Sequence, residues 1–427
     1  MSNTRKIIMA VVGATVLVVL LVVLGFFFGR PSQSPKSRKA KLDFWVVGEQ
    51  KSSFKTAISS FKSEYPNVEI NLRVFDSVEN YENTLLKAMA TNEGPDIFSI
   101  RNNDLYRKKD KIEPLNNRDY SLVDLKEDFP QIVEKSFVRD GRIYALPLYI
   151  DTLSLIYNKN IFNEKGIVFP PKKWKKFKKI AKELTKKGPQ GKIERAGTAF
   201  GRADNIKNFK DILSLLLFQK GAQLMSENYS SADLSGQQSN QAFQFYTQFG
   251  KPKSNYYMWP ESMPNSRKAF SQKKAAMIID YSSAVRSIRQ KSPFLEVGVA
   301  KVPQFSSQRN EISLGHFWGY TVSTKTNYPT IAWDFILHLT TDPSVANSYI
   351  KKTEKPPALK RLIKYYKTKP KFETFASQAL TATSWTEPNP DKIKNIFADT
   401  IEAIIEKEES VGTALDKAAQ SINNLVK

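Results

Sequence analysis

Hydrophobic and polar positions alternate between two periods along most of the chain. Val68, Ile70, Leu72 and Val74 alternate with Glu69, Asn71 and Arg73, the period of a half-buried strand. Phe54, Ile58, Phe61 and Tyr65 instead recur every three or four residues, and so do Tyr81, Leu85 and Met89, which predicts two amphipathic helices. Flanking them, "KLDFWVVGEQ" reads as a buried strand ending at Gly48, and "PDIFSI" as another short one. Strand, helix, strand, helix, strand within about sixty residues predicts an open α/β sheet, whose ligands bind beyond the carboxyl ends of its strands. Those ends are residues 48–50 and 100–103.

The helical period also explains "PKKWKKFKKIAKELTKK" (residues 171–187), with nine lysines and one glutamate. Trp174, Phe177, Ala181 and Leu184 form one stripe, so the lysines take the opposite, wet face. Residues 7–28 follow neither period: 22 residues pass without a charge, about 33 Å as a helix, enough to cross a bilayer core. The run ends "LGFFFGR", a poor cleavage site, so residues 1–29 are expected to form an uncleaved signal anchor. Arg5 and Lys6 precede the run and five basic residues follow within 30–41, so the charge rule does not fix its orientation. Residues 30–41, "RPSQSPKSRKAK", read as a linker.

The chain has 427 residues and is 41% hydrophobic, a globular composition with room for two or three domains. Its net charge is +23; residues 1–41 hold seven bases and no acid, leaving +16 for the remainder. Such an excess favours anionic surfaces and says nothing of fold. The chain contains no cysteine, which excludes disulfides, thiolate metal sites and a lipidated cysteine. Of two histidines, His338 lies on an amphipathic stripe and reads as structural. No nucleophile elbow, P-loop, dinucleotide fingerprint or His-Glu-x-x-His occurs, so neither enzyme chemistry, a metal nor a cofactor is expected.

"FWVVGEQ", "FKSEYPNVEINLRV", "NEGPDIFSI", "GRIYALPLYIDTLSLIYNKNIFNEKGI" and "PPKKWKKFKKIAKELT" stand in the order and spacing of a known family. So do "LLLFQKGAQL", "KAFSQKKAAMIIDY", "VGVAKVPQF", "WDFILHLT" and "KAAQSINNLV". The chain after residue 41 thereby resembles the extracellular solute-binding proteins of the maltose-binding type, which serve ABC importers. The resemblance implies a two-lobed α/β fold of the periplasmic-binding-protein type, closing by a hinge on a small solute, a sugar foremost, behind the N-terminal transmembrane helix. It implies a first lobe of residues 42–148 with 304–350 and a second of 151–300 with 355–427. ABC permease subunits are the implied partners, and the binding domain is implied to be extracytoplasmic.

The family's cleft positions carry over singly. Glu49 and Gln50 match polar contacts after the first strand, with helix capping as the other reading. Arg101 and Asn103 follow the "PDIFSI" strand, where Ile100 replaces a frequent aromatic. Asp151 matches an acidic residue at the lobe crossing, and Tyr281 and Ser283 a turn that often carries an aromatic. Trp318, in "SLGHFWGYTVS" beside His316, is a stacking platform or hinge packing; Trp385, in "TSWTEPNP", is expected near the cleft. Trp259 is a rim residue or a loop anchor. Lys173 replaces the family's threonine N-cap, and Lys175 and Lys176 its acids. The readings weighed against a sugar receptor are a basic module that captures nucleic acid or another anionic polymer, and a cleft for an anionic or peptide solute. Stacking of bases on Trp174 and Phe177 is excluded by their place on the buried stripe. If the anchor is uncut, full-length protein stays in the membrane fraction and N-terminal sequencing reads from the first residues; a start near Phe26 contradicts it.

Overall fold

The computed structural model describes residues 38–91, 93–226, 230–305 and 311–426. The anchor expected over residues 1–29 lies outside them. Among the described residues no helix is long and apolar enough to cross a membrane.

The early alternation folds as its periods predict. Strand Ala40–Val47 pairs in parallel with Val68–Phe75 on one side and Ile97–Arg101 on the other, with helices Lys55–Glu64 and Val78–Ala90 between them in sequence. The returning strand Trp318–Ser323 pairs antiparallel with Ile97–Arg101, and Ile112–Glu113 and Leu146–Pro147 pair with it in turn. This sheet carries the first hydrophobic core, in which Phe44, Phe54, Phe335 and Tyr320 pack edge to face. His338 accepts or donates a 2.7 Å hydrogen bond with Ser60 and packs on Phe61, a structural histidine.

A second core lies around the antiparallel sheet Met277–Asp280, Ser154–Asn158 and Val297–Lys301. Helix Trp174–Leu184 buries Trp174, Phe177, Ile180, Ala181 and Leu184 against it, and Trp174 Nε1 donates to Gln219 Oε1 at 2.6 Å. Trp259 belongs here as well: it is fully buried and donates to Asn205, so it anchors its loop.

Between the cores the chain crosses in a small sheet, Asp151–Thr152, Ser313–His316 and Ala382–Thr383. A buried amide, Gln378, ties the crossing together. Its Nε2 donates to Thr152 Oγ1, the Leu153 carbonyl and Ser154 Oγ, and its Oε1 accepts from the Val302 amide. Gly315 lets Ile132 pack closely on this sheet, where a Cβ would come within 2.6 Å of Ile132 Cδ1 and displace that side chain. Residues 355–427 do not all follow the second core. Pro356 accepts from the Ile150 amide and the Ala358 amide donates to Leu148, which keeps the chain on the first side. Ala358, Leu359, Leu362, Ile363 and Tyr366 consequently pack in the first core, helix Glu373–Ala379 gives Phe375 to the second and Ala376 and Ala379 to the first, and the helices Pro390–Ile405 and Val411–Val426 complete the second.

Lys173 is the N-cap residue of helix Trp174–Leu184, in extended conformation and without a side-chain cap, and the first turn holds no acid. Replacing it with a side chain that accepts from the free amides leaves the backbone unchanged and removes a cation from the positive end of the dipole. Lys173→Thr is expected to stabilise the protein by about 1 kcal/mol, read as a higher denaturant midpoint at constant slope. An unchanged midpoint contradicts this account of the helix start.

Candidate functional site

The sheet edge of the first core and helix ends of the second meet at a cavity of about 20 Å³, lined by Asn102, Asn103, Asp211, Ser214, Tyr281, His316, Trp385 and Glu387 among others. That is room for about one water molecule, far below the roughly 300 Å³ of a small-molecule pocket. As the two cores stand, the space between them is too small for a small-molecule solute.

Glu387 is the centre of the junction and is 3% exposed. Its Oε1 accepts from Asn103 Nδ2 at 2.7 Å, across from the first core, and both its oxygens accept from Lys210 Nζ at 2.6 and 2.7 Å. Burial raises the Glu387 carboxyl above its ordinary pKa, against the pull of Lys210 and Asn103. Burial opposes the charge on Lys210, but Glu387 and Asp211 outweigh it and hold the ammonium above its usual value. Lys210 and Asp211 sit in the first turn of helix Phe209–Lys220, where the dipole favours the Asp211 carboxylate. Asp211 accepts from the Tyr281 hydroxyl at 2.9 Å, and the Tyr281 ring lies 5.7 Å from the His316 ring. Burial pulls the His316 imidazole down to about 4, so it is neutral at pH 7.

Asn103, Tyr281 and Trp385 thus come together as expected positions, with Trp385 half-buried at the wall. Arg101 and Trp318 are partners in register on the first sheet, and the guanidinium lies 5.8 Å from the indole ring. Trp318 is 9% exposed with its ring edge-on to Tyr81, a packing position. Arg101 pairs with Glu82 at 3.4 Å and with Asp391 of the second core at 3.5 Å, a second contact across the junction.

The other expected residues lie elsewhere. Glu49 accepts from Tyr349 at 2.7 Å and Lys355 at 2.6 Å, with the Lys355 ammonium 4.1 Å from the Tyr149 ring centre. Gln50 is exposed at the head of a short 3₁₀ turn. Ser283 is exposed; Ser282, one residue earlier in the helix and so about 100° around it, makes the inward contact. That contact is with Asp151, whose Oδ1 accepts from the Thr152 and Ser282 amides at 2.9 and 3.0 Å and whose Oδ2 accepts from Ser282 Oγ at 2.7 Å. Asp151 therefore directs three acceptances to the start of helix Ser282–Lys291 and to its own strand, which holds the crossing.

Lys210, Asp211, Ser214 and Glu387 were not anticipated from sequence. One signal existed: Lys210 and Asp211 open a helix that is otherwise apolar nearly all round, and charges in such a helix are buried at its end. Among the described residues no group of three acidic or histidine side chains is placed to hold a metal.

The mixed α/β architecture, two cores joined through a crossing sheet, is of the periplasmic-binding-protein type. The family model for bacterial extracellular solute-binding proteins matches residues 56–374. The chain belongs to that family. It is 22% identical over 298 residues to the maltotriose-binding protein of Pyrococcus abyssi, covering 68% of this chain and 60% of that protein. It is 22% identical over 419 residues to the galactooligosaccharide-binding protein of Bacillus subtilis, covering 93% and 92%. Its fold matches a cyclo/maltodextrin-binding protein complexed with maltotetraose at a TM-score of 0.75 and 18% identity, covering 93% of this chain and 99% of the other. The cyclic α-maltosyl-1,6-maltose binding protein of Arthrobacter globiformis matches equally at 0.75 and 19%, covering 91% and 100%.

Burial pushes the Asp151 carboxyl up to about 6 from 3.8, although its three hydrogen bonds oppose the shift. The folded protein then holds this proton more tightly than the unfolded chain. The contribution to stability is full below about pH 4 and is lost as pH rises through about 6. Asp151→Asn removes the titration, so the difference in unfolding free energy between variant and wild type should change across pH 4 to 6 and be flat above 7. A difference independent of pH contradicts the buried, proton-holding carboxyl.

Proposed function

We propose that the protein is an extracytoplasmic receptor that takes a carbohydrate between two lobes and hands it to an ABC permease. The first lobe is residues 38–150 with 317–372, the second 153–305 with 311–314 and 390–426, and the crossings lie between. The observation that carries the reading is the junction itself: carboxylates, amides, a hydroxyl and a half-buried tryptophan converge from both lobes. Planar acceptors and donors suit sugar hydroxyls, and the indole suits the apolar face of a pyranose ring. The names of the maltotriose- and galactooligosaccharide-binding relatives agree with that chemistry. Closure stores the solute, since only a ligand that binds the closed form better shifts the equilibrium towards it.

Membrane tethering through residues 1–29 belongs to the same reading, as does the permease. The basic-polymer alternative gains no support from the junction. The aromatics of the lysine-rich helix, Trp174 and Phe177, are buried and present no face to a base.

Titration calorimetry of the full-length protein against oligosaccharides, neutral and substituted, is expected to find saturable binding with a negative heat-capacity change. Trp385→Ala should weaken it by about 1 to 2 kcal/mol and leave the melting temperature within a few degrees. Binding of amino acids, peptides or nucleic acid with no response to any saccharide overturns the reading.

A further inference from the structure

The lining of the junction is unequal in donors and acceptors. Asn103 Oδ1 and Ser214 Oγ are both buried without a hydrogen-bond partner, in residues 7% and 1% exposed, and both residues line the same cavity. Buried polar atoms of native proteins are almost always paired, so two orphans facing one space take their partner from a water or from a group that enters in its place. Several of the donors around them already have acceptors. Asn102 Nδ2 donates to the Gly315 carbonyl, Asn103 Nδ2 and the Lys210 ammonium to Glu387, and the Tyr281 hydroxyl to Asp211.

Charge points the same way. Asp211 and Glu387 bring two carboxylates to the cavity against the single ammonium of Lys210, whose distance to Asp211 Oδ1 is 3.6 Å. Arg101 does not line the cavity and pairs with Glu82 and Asp391, although its buried Nε has no hydrogen-bond partner. His316 is neutral at pH 7. A carboxylate or phosphate entering here meets two anions and few uncommitted donors. A hydroxyl brings one donor but also two lone pairs that need donors. An ammonium brings three donors, no acceptor and a positive charge.

On the reading that the junction is a carbohydrate site, we propose that it selects amino sugars, with the ammonium directed to Asn103 Oδ1, Ser214 Oγ and the Asp211 carboxylate. The lobes open, the substituent enters, and closure pairs the two orphans that the solute-free junction leaves bare. Ser214, in a helix whose neighbours Leu213, Leu215 and Leu216 are buried and apolar, is a specificity residue in this account.

Calorimetry of the full-length protein with a glucosamine disaccharide, its di-N-acetyl counterpart, cellobiose and a glucuronic acid disaccharide tests it. The amino disaccharide is expected to bind at least tenfold more tightly than cellobiose and the N-acetyl form, with no detectable binding of the acid. Asp211→Asn should reduce amino-disaccharide affinity tenfold or more, and by a clearly larger factor than it reduces that of cellobiose. Ser214→Ala, which is expected to fold even if the Asp211 variant does not, should weaken the amine and raise the melting temperature by removing a buried unpaired hydroxyl. Cellobiose binding as tightly as the amine overturns the inference and leaves the carbohydrate receptor standing. Failure of every saccharide overturns both. Tight amine binding unaffected by both substitutions overturns the site.

Discussion

Glu387 is a carboxylate almost without water, held between an asparagine of one lobe and a lysine of the other, and the geometry of the junction follows from it. A buried charge without partners is too costly to keep, so the lobes must come close enough for Asn103 and Lys210 to reach it. That same closeness reduces the cavity to the size of a water molecule. The interaction fixes the register in which the two cores meet. Arg101 and Asp391 add a second contact across the gap, and Gln378 holds the crossing strands between the cores.

Much of the fold was legible because its elements obey short-range rules. The alternation at Val68 to Val74 and the stripes of Phe54, Phe61, Tyr81 and Leu85 specify faces, and faces specify which side of the sheet each helix covers. The lysine-rich helix was legible for the same reason, Trp174 and Phe177 marking its inner side regardless of the charge outside. What escaped was the third crossing. Nothing local distinguishes Leu359, Leu362 and Ile363 as first-core residues, since their stripe fits either core; the backbone bonds of Pro356 and Ala358 to residues 148–150 decide it.

The site was legible in part for a related reason. Asn103, Tyr281 and Trp385 stand at the ends of elements whose position the fold dictates, and they meet. Ser283 is exposed and Ser282, one residue earlier, turns inward to Asp151, because a helix start turns about 100° per residue. Asp151 itself stands at the crossing between the cores. It accepts three hydrogen bonds from Ser282 and Thr152, so it positions a helix. Glu387 and Lys210 were missed because each is an ordinary charged residue until the partner 177 positions away is known.

The central claim is that solute is taken between the lobes at the Asn103, Asp211 and Glu387 junction. A crystal structure of the full-length protein with its bound solute tests this most directly. The account predicts density between the lobes, in contact with Asp211 and Trp385, with the direct Asn103 to Glu387 bond parted or rearranged around the solute. Solute bound elsewhere, with that bond and the small cavity intact, would contradict it.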